Sequence, residues 1–264
     1  MLKTRIVTAL ALLAGFLIVL FLLPRPGVAA AFALVAGLMA WEWAGLMRVD
    51  PGGRWLYAGV ILVSCLAAYN QPDFAFPRLW WASAAFWLLL VPIWLWRRWR
   101  MDSNDLAGYL AGWVLIVPTW AAMLGLQERN PWMLFAAMAL VWIADIAAYF
   151  AGRAWGRHKL APSISPGKTW EGVGGAAAGV LIYGVAAAQV AGYTPPSIAG
   201  WALLLLGLTA VSIMGDLFES MIKRQAGVKD SSNLLPGHGG LLDRLDSQTS
   251  TLPLAALALA WLSS

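Results

Sequence analysis

The sequence predicts an all-α, polytopic integral membrane protein with about nine transmembrane helices and a cytoplasmic N-terminus. Three observations predict it. Hydrophobic residues make up 61% of the chain, charged residues only 12%, and the mean hydropathy is +0.70; a soluble domain carries about 25% charge. The apolar residues come in runs near the roughly 20 residues a helix needs to cross hydrocarbon. The basic residues are divided unevenly among the segments between those runs.

The runs place spans at roughly 5–23, 28–46, 55–69, 78–96, 106–125, 131–151, 172–191, 198–221 and 250–263. The third and ninth are the shortest. The first opens with Lys3 and Arg5, as a signal peptide does, but its apolar run is longer than such a peptide uses, so it reads as a retained span. With the N-terminus inside, the inside segments hold Lys3 and Arg5; Arg48 and Arg54; Arg97, Arg98 and Arg100; Arg153, Arg157, Lys159 and Lys168; and Lys223, Arg224, Lys229 and Arg244. The outside segments hold Arg25, Arg78 and Arg129. Fifteen against three is a positive-inside bias, and it supports the span count. Many of the 17 tryptophans fall near span ends, Trp80, Trp81, Trp94, Trp96 and Trp99 among them, as an interfacial aromatic belt requires. Cys65 is the one cysteine, so no intrachain disulfide can form.

Two regions follow: an N-terminal transmembrane region, 1–130, and a C-terminal one, 131–264, with two polar cytoplasmic loops at about 152–171 and 222–249. Chemistry is expected on the cytoplasmic side, where both histidines and most of the clustered acids lie.

Four acids fall inside or at the ends of spans: Glu42, Asp145, Asp216 and Glu219. Acids at such depth are costly, so each is a functional candidate. Glu42, in "WEWAG", lies close to an inside end, where snorkelling or pairing with Arg48 accounts for it. Asp145, Tyr149 and Arg153 recur every four residues and share one helix face. Asp216, Glu219, Ser220 and Lys223 share another, with a Glu219–Lys223 salt bridge as its plain structural content.

The first loop carries "SISPGKTWEG". Its Gly-Lys-Thr ending resembles a P-loop, but Pro162 stands where that motif needs glycine, which excludes a Walker A site. Ser165, Lys168 and Thr169 still place hydroxyls and a cation before a helix, a setting that suits phosphate. The second loop carries "PGHGGLLDRLDS", Pro236 to Ser247. Gly237, Gly239 and Gly240 let backbone approach a ligand. Asp243 and Asp246 lie one turn apart and offer hard oxygens suited to Mg²⁺. Lys223, Arg224, Lys229 and Arg244 can neutralise phosphate. No spacing suits zinc.

These residues resemble a known family. The run Ser220 to Asp246, "SMIKRQAGVKDSSNLLPGHGGLLDRLD", is similar to the signature of phosphatidate cytidylyltransferases, the CDP-diacylglycerol synthases, at Ser220, Lys223-Arg224, Lys229-Asp230, Ser232, Leu235-Pro236, His238-Gly239-Gly240, Asp243-Arg244 and Asp246. "ADIAAYFAGR" at 144–153 and "SPGKTWEG" at 165–172 resemble the same family, in its bacterial form. The resemblance implies transfer of CMP from CTP to phosphatidic acid, giving CDP-diacylglycerol and pyrophosphate, with Mg²⁺, a second monovalent cation (K⁺), and a homodimer in the inner cell membrane. It implies membrane lipid as a partner and no nucleic acid. On this reading Asp216 and Asp243 hold the metal, with Asp246 as a further ligand and Lys223 beside them. Arg224, Lys229, Asp230, His238 and Arg244 then meet the substrates, as do Ser165, Lys168 and Thr169, with Asp145 and Tyr149 facing the same cavity. His238 acts as a positioning donor, because a phosphate monoester needs no general base. The rival readings are a CTP-dependent lipid kinase and a transporter of an anionic phosphorylated metabolite.

Overall fold

The computed structural model describes residues 2–101 and 106–262, with side chains from residue 7 onward. The side chains of Lys3 and Arg5, counted above, lie outside the described residues. The elements are α1 (Leu2–Leu22), α2 (Arg25–Leu46), α3 (Pro51–Tyr69), α4 (Pro72–Ala85), α5 (Val91–Arg97), α6 (Leu106–Arg129), α7 (Pro131–Trp155), β1 (Lys159–Ala161), β2 (Ser165–Thr169), α8 (Trp170–Val190), α9 (Ile198–Ala226) and α10 (Leu242–Leu262). A π-helical turn, Phe86–Leu90, joins α4 to α5.

The fold is that of a polytopic membrane protein. Among the described residues, seven helical spans are long and apolar enough to cross a bilayer, with α4 through α5 counting as one. Helices α1 and α10 cover the other two expected spans without meeting that measure, so the structure supports seven of the nine by length and composition.

Local chemistry sets the helix starts. Pro51 and Pro131 take first helical positions, where no amide bond is lost. Asp50 accepts from Gly53 N at 3.0 Å, and Asn130 from Trp132 N at 2.9 Å, each capping its helix. Helix α9 ends on Gly227, whose φ of 78° suits glycine. In the π turn, the Val91 N–H reaches back five residues to Phe86 O, and Pro92 has no N–H to continue the ladder.

Two bodies of packing frame the site. Helix α6 is central, with α2, α3, α4, α7 and α10 around it. Its core includes Trp43, Leu115, Leu124 and Leu252. Phe218 of α9 sits among the rings of Trp43, Phe86, Trp87 and Trp94, which ties α9 to the N-terminal helices. A second cluster, with Leu140, Val180 and Leu205, joins α7, α8 and α9. Small residues let α7 and α8 approach: a Cβ added at Gly179 would lie 2.7 Å from that of Ala147.

Two expectations change. The loop expected at 152–171 contains an antiparallel hairpin, with Lys159 opposite Thr169 and Ala161 opposite Ser165, so the all-α fold carries one small β element. The strands are short and hold Pro166 and Gly167, which hide any alternating pattern. The ninth span was expected at 250, but α10 begins at Leu242. Its residues Ser247 to Thr251 are all polar and at most 2% exposed. They face protein: Gln248 Nε2 donates to Met138 O at 3.1 Å, and Ser250 Oγ to Val211 O at 2.9 Å. A helix surrounded by helices needs no apolar face there.

Candidate functional site

Helices α7, α8 and α9 and strand β2 enclose a cavity of about 490 Å³. Asp145, Tyr149 and Arg153 line it from α7, as their shared face predicts; Ser165, Lys168 and Thr169 line it from β2; Asp216 lines it from α9. Apolar walls come from Ala144, Ala148, Val173, Ala176 and Ile213. Thr169 is buried, and its Oγ1 accepts from Gly172 N at 3.1 Å, so this hydroxyl caps α8 and fixes where β2 stops. The hairpin base is held by His158, whose Nδ1 lies 2.6 Å from Glu171 Oε1.

Lys168 Nζ reaches Asp216 Oδ2 at 2.6 Å, and Ser220 Oγ donates to Asp216 Oδ1 at 3.1 Å. Asp145, Asp216 and Asp246 stand close enough for Asp216 to repel both of the others. Lys168 is the cation near Asp145 and Asp216, and Lys223 the one near Asp246, so three acids face two cations.

A second cluster lies outside the lining of the cavity. Lys223 Nζ bonds Asp243 Oδ1 at 2.6 Å and stands 3.1 Å from Glu219 Oε1, an ion pair without hydrogen-bond geometry. Glu219 is 1% exposed. The helical-face reading of Glu219 and Lys223 is therefore met, with Asp243 as the stronger partner.

Asp243, expected as a metal ligand, is engaged by protein donors in this structure. Its Oδ2 accepts from Ser231 N at 2.9 Å, Ser231 Oγ at 3.0 Å and Gly240 N at 2.8 Å, while Oδ1 takes Lys223. Three contacts crowd Oδ2, where the Ser231 hydroxyl has its one proton to share with Glu42, while Oδ1 holds Lys223 and keeps an acceptor site. Burial opposes its charge, but the Lys223 ammonium and the Gly240 and Ser231 amides outweigh it and hold the carboxyl below its ordinary value. Asp243 ties the loop 227–241 to Lys223.

That loop is shaped locally. Leu235 to His238 form a tight turn, with His238 N donating to Leu235 O at 2.8 Å. Pro236 and Gly237, φ 78°, take the central positions of a type II turn. Arg244 Nε donates to His238 O at 3.0 Å. His238 is half-buried, and its Nδ1 is buried without a partner among the described residues. Arg224, Lys229, Asp230 and Arg244 are exposed around the loop. None of these five lines the cavity among the described residues, nor do Lys223, Asp243 or Asp246.

The residue that sequence reasoning misplaced is Glu42. It does not snorkel and does not pair with Arg48; it is 1% exposed. Its carboxylate accepts from Ser232 Oγ at 2.6 Å, Leu242 N at 2.7 Å, Leu241 N at 2.9 Å and Ser231 Oγ at 3.2 Å. It thereby caps α10 from another helix. The signal was present, since an acid in a span is a functional candidate, but its partners lie far along the chain.

The donors suit a Mg²⁺ shared with substrate phosphates better than one caged by protein alone. Among the described residues no three His, Cys, Asp or Glu side chains form a ready metal group. Asp216, with two donors, and Asp246, accepting from Ser247 N at 2.7 Å, both keep free acceptor sites. Two carboxylates completed by phosphate oxygens is how Mg²⁺ is usually held.

Residues 3–262 match the model of the cytidylyltransferase family. The chain is 42% identical to the phosphatidate cytidylyltransferase of Pseudomonas aeruginosa, over 99% of this chain and 97% of that one. It is 36% identical to the phosphatidate cytidylyltransferase of Haemophilus influenzae, over 96% of each. A shorter match, 51% identical over 126 residues, is to the phosphatidate cytidylyltransferase of Brucella suis, over 45% of this chain.

Proposed function

The chain belongs to the cytidylyltransferase family, and from that premise we propose that it transfers CMP from CTP to phosphatidic acid. A phosphate oxygen of the lipid attacks the α-phosphorus of CTP; the bond to the β-phosphate oxygen breaks, and pyrophosphate leaves. CDP-diacylglycerol remains in the membrane. The observation that carries this reading is the placing of Lys168, Asp216 and Asp145 around one cavity with apolar walls. Such a cavity can hold phosphate beside an acyl chain.

Both reactants are anions, so neutralising and orienting them is the main task. Lys168 gives up its Asp216 contact to take a phosphate oxygen. Ser165 donates from the same strand. Lys223, held by Asp243, supplies fixed positive charge near Asp246. Arg224, Lys229 and Arg244 draw the triphosphate toward the loop from solution, with Asp230 and His238 positioning it. Tyr149 and Arg153, joined at 2.9 Å, border the cavity on α7. Its apolar walls keep water from competing with the lipid oxygen. Mg²⁺, when bound, supplies charge neutralisation at the phosphates, and Asp216 and Asp246 would hold it. The lipid phosphate is already a nucleophile, so no side chain here need remove a proton.

The inner cell membrane, a cytoplasmic site and a homodimer belong to the same proposal. The test is direct. Purified protein is given CTP labelled at the α-phosphate, phosphatidic acid and Mg²⁺. Label in the lipid together with free pyrophosphate supports the transfer. Release of CDP points to a lipid kinase instead, and flux across liposomes without lipid labelling points to a transporter.

A further inference from the structure

We propose that Glu42 is a positioning residue for CMP transfer, setting from α2 the loop 231–241 and the start of α10, whose Asp243 holds Lys223. The inference rests on the reaction proposed above. Four observations carry it.

First, Glu42 is 1% exposed, and no described cation pairs with it. A buried carboxylate without a cation is expensive, so a scaffold helix gains nothing by keeping one. Second, all four of its donors lie in one stretch, from Ser231 to Leu242. Contacts that only glued helices together would be spread over the neighbours of α2. Third, the fit is tight: a Cβ added at Gly240 would lie 2.7 Å from Glu42 Oε1.

Fourth, the contacts form a chain to the site. Ser231 Oγ lies 3.2 Å from Glu42 Oε2 and 3.0 Å from Asp243 Oδ2. A hydroxyl has one proton, so the two carboxylates share it. Asp243 in turn holds Lys223 at 2.6 Å. Glu42 fixes Ser231 and the first amides of α10; these fix Asp243, and Asp243 fixes the ammonium. Helix α10 also carries Asp246, so the same contacts set the depth of a proposed metal ligand. Glu42 touches no substrate; it acts through the loop.

The experiment compares the full-length protein with Glu42→Gln, Ser232→Ala and the double variant in one detergent. CMP transfer is measured as kcat and as KM for CTP, beside thermal melting of each protein. Gln keeps the shape of Glu42 but turns an amide group toward the loop donors. Ser232→Ala removes the shortest contact from the loop side and leaves α2 intact. The expected result for Glu42→Gln is a kcat lower by about ten- to a hundredfold, the scale for a misplaced catalytic group. KM for CTP should stay within about threefold, and although melting falls as loop donors lose their acceptor, the protein should remain folded at the assay temperature. Ser232→Ala should lower kcat by about three- to tenfold, and the double variant should be no slower than Glu42→Gln, because both changes break one link.

Two results overturn the proposal: kcat within about twofold of wild type in both single variants, or activity lost only in step with folded protein in both. Failure of the wild type itself to label lipid would count against the reaction and not against the link.

Discussion

Lys168 Nζ and Asp216 Oδ2 meet at 2.6 Å across the cavity, joining the β-hairpin to α9. The pair is half-buried, so it is both a closure and a store of charge waiting for a better partner. Phosphate offers Lys168 that partner. Lys168→Ala should therefore lower CMP transfer by about a hundredfold, the usual scale for losing one preorganised charge at a reacting phosphate. The measurement is initial rate at saturating CTP; a variant retaining more than about a third of the rate would remove Lys168 from the site.

Magnesium demand separates the acids. Asp216→Asn and Asp246→Asn should each raise the Mg²⁺ concentration for half-maximal rate by about tenfold or more. Asp243→Asn should raise it less, because Oδ2 already serves Ser231 and Gly240 and Oδ1 already serves Lys223. Removing divalent ions with a chelator should stop the wild-type reaction, and added Mg²⁺ should restore it. Equal Mg²⁺ shifts in all three variants would return Asp243 to the metal.

Asp243 should instead govern behaviour in acid. Its folded carboxyl lies below the ordinary value of 3.8, so it stabilises the fold above that value. The contribution is lost as pH falls through the lower, folded value. Thermal melting of wild type and Asp243→Asn should differ at neutral pH by about 1–3 kcal/mol, since Glu219 remains beside Lys223. The two curves should converge as the pH drops below about 4. A constant gap would mean that the Lys223 bond does not depend on the charge.

At Gly240 the loop has no room. A methyl there would press on Glu42 Oε1 and on Ser231 Oγ, and neither can retreat without losing a bond. Gly240→Ala should cost about 1–3 kcal/mol and most of the activity, read by melting and by lipid labelling.

The His158–Glu171 pair should matter far less. Its histidine side chain is 76% exposed, and exposed pairs contribute little. Glu171→Gln should change the rate by no more than about threefold. A larger loss would show that the hairpin base feeds the cavity directly.

Much of the site was legible because helical spacing is local. Asp145 and Tyr149 were placed on one face by their four-residue interval, and both line the cavity. Asp216 and Lys223 were recognised in the same way. The start of α10 was not, because Ser247 to Thr249 read as the end of a loop to a hydropathy argument; burial among helices, invisible in sequence, makes them helical core. The hairpin was hidden by Pro166 and Gly167. Asp243 was legible as an acid of the site, but its role depends on Ser231 and Gly240 folding back onto it. Glu42 was the hardest: Arg48 is near in sequence, whereas Ser232 and Leu242 are near only in space.

The grip of Glu42 on the loop also has a meaning for inheritance. Position 42 and positions 231, 232 and 240 are written at opposite ends of the chain yet share one bonding geometry. A shorter or uncharged residue at 42 leaves donors stranded, and a longer one collides with Gly240. Substitutions at either end are then conditional on the other. Drift in this protein should proceed there by matched pairs, and chimaeras that take the first helices from one relative and the loop from another should inherit a mismatch.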